Sequence, residues 1–193
     1  MEDQKVTFGL RTGGVIETVD VLVTQSEERA QTWLHKALQG QDAAMLYIGI
    51  DCHFTTDNVP ATVEIAIGTS CLIFQLRGSK LPGPILDFLQ KNSAKTFLTT
   101  KRLKGKLMTA LRDDLGVRTF DCIQARKFLE YKEGSMRLPN WRDEAAKILR
   151  MDPVPPPDSV KNEDWGADCL TKVQMQFAAT RCLVAIKLGL RFL

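Results

Sequence analysis

The residues with the clearest chemical potential lie at the end of one apolar segment, residues 47–54 (YIGIDCHF). Side chains alternate along a β-strand, so Asp51 and His53 point to the same side and Cys52 points away from them. A carboxylate beside an imidazole suits a single zinc or manganese ion. We favour the alternative, a strand end whose polar groups pair internally, because these two residues supply too few ligands to hold an ion.

A basic run provides the second candidate site, for nucleic-acid binding. It comprises Lys101, Arg102, Lys104 and Lys106. Such a run is typical of a surface that follows phosphates, and also of a solvated loop and helix face. No aromatic residue interrupts it, which weakens the case for single-strand binding, where bases usually stack on aromatic rings. Both interpretations stay open.

The composition predicts one globular domain over residues 1–193. The chain is 44% hydrophobic and 25% charged, and its net charge of +3 permits a polyanionic partner without requiring one. Its five cysteines are odd in number and include no C-x-x-C pair, which favours reduced thiols in the cytoplasm or nucleus. The N-terminus lacks a secretion pattern, and charged or polar residues interrupt the longest apolar runs, so no membrane association is expected.

The first half of the sequence predicts strands and one helix. Residues 6–24 contain two β-rich runs around Gly13 and Gly14, and a helix should follow from an N-cap at Ser26. We expect residues 1–40, this ribbon and helix, to pack on the rest of the domain. Three antiparallel strands should come next, in the segments MLYIGID, ATVEIAIGT and CLIFQL.

The second half alternates between helices and strands. Helices are predicted in GPILDFLQK, LKGKLMTALRDDLG, DCIQARKFLEY, WRDEAAKILRM and the long apolar C-terminal segment, and a strand in KTFLTT. Three antiparallel strands followed by βαβ units predict an α/β fold with a mixed five-stranded sheet and helices on both faces. This is the arrangement of ribonuclease-H-like folds.

The most specific pattern in the sequence is in the last segment. Trp165, Leu170 and then VQMQFAATRCLVAIKLG resemble the closing motif of DEDD-type 3'-5' exonucleases of the Werner-syndrome subgroup, in which W and L precede Q-x-x-Y-A-A-x-D. IGIDCHF, CLIFQL, FDCIQA and AAKILRM follow the order of the other family segments. The resemblance covers nearly the whole chain from Tyr47 onward, and the N-terminal ribbon and helix suit plant-like members.

The resemblance implies a reaction for which this chain lacks most of the residues. In the family, four carboxylates hold two metal ions that activate a water, and a tyrosine orients that water. Asp51 matches the first carboxylate, but His53 stands at the glutamate position, Phe177 replaces the tyrosine and Arg181 replaces the last aspartate.

The second motif is degenerate as well. Its aspartate position falls on residue 105, 106 or 107, which are Gly, Lys and Leu, and we place Lys106 there. Asp121 matches a supporting position after that motif and is not one of the four carboxylates.

These departures predict a protein that has kept the fold and lost hydrolysis. Arg181 would place a permanent cation where a metal stood in relatives, and with Lys106 it would neutralise Asp51. No cofactor is then expected, and the protein would act by binding nucleic acid without cleaving it, or by binding protein partners.

Two alternatives remain. An active exonuclease would use Mg²⁺ or Mn²⁺ in a site rebuilt from Asp51, His53 and Asp121. A homo-oligomeric scaffold would use the apolar terminus LGLRFL and the N-terminal ribbon as interface.

Overall fold

The centre of the protein is one mixed β-sheet. The computed structural model describes residues 3–41, 46–78, 80–90, 95–101, 105–118, 122–132, 141–160 and 163–193. Within these ranges the sheet has seven strands, in the order β1-β2-β5-β4-β3-β6-β7. They are β1 (Gln4–Thr12), β2 (Val15–Thr24), β3 (Leu46–Phe54), β4 (Pro60–Ile67), β5 (Ser70–Gln75), β6 (Lys95–Thr99) and β7 (Cys122–Gln124).

The strand directions confirm the predicted fold class. β3, β4 and β5 are antiparallel neighbours, and β6 and β7 follow in parallel on the other side of β3. The sheet has seven strands and not five, because the N-terminal ribbon joins it: β2 pairs in parallel with β5. The alternation of Val19, Val21 and Val23, all buried, gives β2 an apolar face that continues the sheet's core face.

Helices cover both faces of the sheet. They are α1 (Glu27–Leu38), α2 (Gly83–Gln90), α3 (Lys106–Thr109), α4 (Lys127–Lys132), α5 (Trp141–Leu149) and α6 (Lys172–Phe192). The predicted N-cap of α1 is present, since the Ser26 hydroxyl accepts a hydrogen bond from the Arg29 amide at 3.3 Å. The apolar residues of α1 and α2 belong to one core cluster, and those of α6 to the cluster on the opposite face.

Helix α6 is the element that closes the core around the candidate site. It begins with a capping box, in which Thr171 and Gln174 satisfy each other's backbone amides. Most of its residues are buried, as expected for a helix with little polar surface. The prediction of a long C-terminal helix is confirmed.

Two predicted helices differ in the structure. The segment DCIQARKFLEY begins as strand β7 and becomes helical only at Lys127. Pairing of Cys122 and Ile123 with β6 overrides the local helical pattern. The helix predicted in LKGKLMTALRDDLG begins at Lys106 and continues past Thr109 as a π-helical turn (Ala110–Asp114).

No helix in the described part of the chain combines the length and apolar character needed to cross a membrane.

Candidate functional site

The candidate site lies where the end of β3 meets α6. Asp51 pairs across the strands with Glu64 of β4, and His53 pairs with Thr62, so all four side chains share the sheet face that α6 covers. Cys52 points into the opposite core cluster, and burial raises the pKa of its thiol. Asp51 is 1% exposed and Glu64 is fully buried. Two carboxyl groups thus lie in the interior and need partners.

Asp51 has a cation on each of its carboxylate oxygens. Arg181 donates through Nε to Oδ2 at 3.1 Å, and the Lys101 ammonium lies 2.8 Å from Oδ1. The Cys52 amide also donates to Oδ1 at 2.8 Å, and Lys101 donates to the Cys52 carbonyl oxygen. Burial acts to raise the pKa of Asp51, but Lys101 and Arg181 outweigh it and hold that pKa well below the ordinary range.

The lowered pKa predicts a specific loss of stability in acid. A carboxyl whose pKa is lowered by folding stabilises the native state fully above its unfolded pKa of about 3.9, and this stabilisation is lost as the pH falls toward the folded pKa. The difference in unfolding free energy between wild type and Asp51→Asn should therefore shrink as the pH falls below about 4. Urea unfolding of both proteins from neutral to strongly acidic pH measures it. A difference independent of pH would contradict the ion pairs.

Arg181 lies near two aromatic rings in addition to its contact with Asp51. Its guanidinium carbon lies 5.4 Å from the centre of the Phe177 ring and 5.9 Å from that of Trp141. Phe177 and Arg181 are four residues apart on α6 and so lie on the same side of the helix. About 10% of the Arg181 side chain is exposed. Among the described residues, none accepts a hydrogen bond from its two terminal nitrogens.

His53 is fixed by stacking. Its ring lies 3.7 Å from the Trp165 ring, nearly parallel at 12°, and meets the edge of Phe177 at 5.7 Å. Its Nδ1 lies 3.2 Å from Glu64 Oε1, outside hydrogen-bond geometry, and the Thr62 hydroxyl donates to that same oxygen. Glu64 Oε2 has no partner in the described part of the chain.

Glu64 is the residue of this site that the sequence analysis missed. It lies within ATVEIAIGT, where it stands among apolar residues predicted to form a buried strand. A lone acid in such a run was the available signal, because buried carboxylates are rare unless they are paired.

The predicted basic run has a different arrangement from the one expected. Lys101, and not Lys106, is the second cation at Asp51. Lys106 is exposed, donates to the Asn58 side chain and lies 5.5 Å from the centre of the Phe54 ring. Arg102, Lys104 and Asp121 lie outside the described residues.

The residues at this site do not fit a pair of divalent metal ions. Magnesium and manganese need several oxygen ligands, whereas both oxygens of Asp51 are bound by cations and Arg181 adds a positive charge beside them. His53 Nδ1 faces Glu64 and its ring is stacked on Trp165, which leaves it unsuited to join Asp51 at one ion. No group of three or more potential metal ligands occurs in the ranges that the structure describes.

Comparison with solved structures identifies the fold. An apo nuclease matches with a TM-score of 0.60 and 16% identity over 82% of this chain and 74% of its own. Brucella melitensis NrnC matches with a TM-score of 0.62 and 16% identity over 79% and 75%; related structures show NrnC with bound Mg²⁺ and with pGG. Escherichia coli RNase D, an exoribonuclease involved in structured RNA processing, matches with a TM-score of 0.60 and 14% identity over 88% of this chain. This chain spans 43% of RNase D.

These similarities establish the class of fold and no more, because the identities are low. The chain has the same fold as these nucleases, the ribonuclease-H-like α/β fold that the sequence predicts. No protein-family model and no curated protein sequence matches it.

Proposed function

We propose that this protein is an exonuclease-like protein that has lost hydrolysis and acts by binding nucleic acid without cleaving it. The observation that carries the proposal is the pair of cations on Asp51. In metal-dependent hydrolysis the carboxylates gather positive metal ions that activate water. Here Lys101 and Arg181 bind the two oxygens of Asp51, the one remaining carboxylate of the predicted set, which supports a site that works without such an ion.

The other substitutions support the same conclusion. Phe177 has no hydroxyl with which to orient a water, and its ring packs against His53 and Arg181. His53 is enclosed between Trp165 and Glu64. Three of the side chains that replace family residues, His53, Phe177 and Arg181, are therefore engaged in packing or pairing within the site.

Nucleic-acid binding is supported by the surface beside the site and by the comparisons. Lys101 and Lys106 place their ammonium groups 5.6 and 5.5 Å from the centre of the Phe54 ring, which is partly exposed. Lysines beside an aromatic ring form a common kind of contact surface for a single strand. NrnC, which shares the fold, has been solved with pGG and with Mg²⁺.

One gel experiment tests both parts of the proposal. End-labelled single-stranded and recessed-end duplex substrates are incubated with the protein and Mg²⁺ or Mn²⁺, and each sample is run on a native and a denaturing gel. We expect a shifted band that weakens between about 50 mM and about 200 mM salt, and no shortening. Lys106→Ala should weaken the shift, because it removes an exposed cation beside Phe54.

Two outcomes would contradict the proposal. Metal-dependent shortening that Asp51→Ala abolishes would show a working exonuclease and support the rebuilt metal site. Absence of any shift at low salt would remove nucleic-acid binding and leave protein partners as the remaining role.

A further inference from the structure

We propose that the site binds the terminal phosphate of a nucleic-acid strand directly on the guanidinium of Arg181, without a metal ion. The inference rests on the proposed function and names the group that the site would recognise. The ligand is a phosphate monoester, in contrast to the divalent cations that the same fold holds in NrnC.

Arg181 has hydrogen-bonding capacity left for a ligand. A guanidinium has five N–H donors, and Asp51 takes only the one on Nε. The four donors on the two terminal nitrogens have no acceptor in the described part of the chain. A planar fork of this kind matches two oxygens of a phosphate, which is why arginine is so common in phosphate sites.

Arg181 is also already held in place before any ligand binds. The side chain is 10% exposed, Asp51 fixes its Nε, and the rings of Phe177 and Trp141 flank its guanidinium. Little side-chain entropy is then lost when a ligand binds, so the fork is preorganised. A surface arginine would have to be ordered by the ligand itself.

The charge of the groups in contact at Asp51 also favours an anion. The cluster of Asp51, Lys101 and Arg181 has two cations and one carboxylate, which leaves one net positive charge in a largely buried place. Glu64, the other carboxyl on this sheet face, accepts from Thr62 and faces His53 through Oε1, and its Oε2 has no partner in the described part of the chain. A terminal phosphate carries about −1.5 to −2 charges near neutral pH and an internal diester carries one, so the end of a strand is favoured.

The affinities of oligonucleotides with different terminal groups can be compared directly. A short labelled oligonucleotide is prepared with a 3'-phosphate, with a 5'-phosphate or with hydroxyls at both ends. Binding is measured by fluorescence anisotropy in EDTA. We expect at least one phosphorylated form to bind about 10-fold or more tightly than the hydroxyl form, the difference that charge-assisted hydrogen bonds supply. Inorganic phosphate should compete at high concentration.

Two variants separate the contribution of the planar Arg181 guanidinium to binding from that of positive charge alone. Arg181→Lys keeps a cation beside Asp51 but loses the planar fork. The phosphorylated and hydroxyl oligonucleotides should then bind this variant with about equal affinity. Lys106→Ala should weaken all three oligonucleotides equally and keep the preference. Thermal unfolding checks that each variant is folded, and the comparison of ends on wild type needs no variant.

The outcomes also distinguish this inference from the proposed function. Equal affinity for all three ends, with no shortening, removes the phosphate site and leaves non-cleaving binding intact. Inorganic phosphate that binds while no oligonucleotide end gains affinity would assign the site to free phosphate and overturn the inference. Shortening in Mn²⁺ would remove the proposed function itself.

Discussion

Asp51→Asn is expected to lower the unfolding free energy by about 3–5 kcal/mol, the usual result of removing one partner from a buried ion pair. Asp51 is 1% exposed, and its two oxygens receive Lys101 and Arg181. Asparagine has nearly the same shape but no charge, so both cations would remain near the interior without a counterion. Chemical unfolding of the two proteins at neutral pH gives the difference.

A matched control and a double variant show whether charge is responsible. Asp113 also pairs with an arginine, Arg112, at 2.6 Å, but on the surface, so Asp113→Asn should leave the unfolding midpoint unchanged. Adding Arg181→Met to Asp51→Asn should restore part of the lost stability, since one unpaired cation is then gone. If Asp51→Asn behaves like Asp113→Asn, the ion cluster does not stabilise this fold.

The sequence was sufficient for the fold because the decisive signals were local and strong. Short apolar runs predicted β3, β4 and β5, and the last two pair in antiparallel fashion across a short turn that contains Gly68. The N-terminal ribbon was recognised as well. Its parallel pairing with β5 was not, because no local pattern states which edge of a sheet an extra strand will join.

The short strand β7 shows the limit of local patterns. Residues 122–132 contain apolar positions that suit a helix, and the structure forms one only from Lys127. The three residues before it pair with β6 and fill a place at the sheet edge. That contact joins residues more than twenty positions apart and outweighs a weak local preference.

The candidate site was predictable in its residue types and in the pair of Asp51 with Arg181, but not in its second cation. Resemblance to the exonuclease motifs led to Asp51, His53, Phe177 and Arg181, and the structure pairs Asp51 with Arg181. The second cation was expected to be Lys106 and is Lys101, which lies two residues after the end of β6. Which of several nearby lysines reaches a buried carboxylate depends on a few ångströms of loop geometry, which residue spacing does not determine.

The contacts of Arg181 with Asp51 and Phe177 also indicate why several departures from the family pattern would occur together at this site. Arg181 balances the charge of Asp51 without a metal ion, and its guanidinium lies near two rings, those of Phe177 and Trp141. Reversing one substitution alone would therefore create an unbalanced buried charge. Recovery of metal binding should require several changes at once, with His53→Glu and Arg181→Asp among them.

The close approach of α6 to β3 brings Arg181 to Asp51, and Gly49 makes it possible. A Cβ atom at position 49 would lie 2.3 Å from the Cys182 carbonyl oxygen, a backbone atom that cannot move without moving the helix. Gly49→Ala is therefore expected to lower the unfolding free energy by about 3 kcal/mol, at the upper end of the usual cost of overpacking. It should also weaken the Asp51–Arg181 contact, because α6 must shift away from the sheet.

Two glycine controls test this explanation. At Gly83, in the first turn of α2, the nearest atom to an added Cβ is a Glu27 carboxylate oxygen at 3.8 Å, so Gly83→Ala should cost nothing. At Gly189 an added Cβ would meet the tip of the Leu98 side chain, which can change rotamer, and Gly189→Ala should cost less than Gly49→Ala. If all three variants unfold at the same denaturant concentration, the helix does not depend on glycine at position 49, and Arg181 reaches Asp51 for another reason.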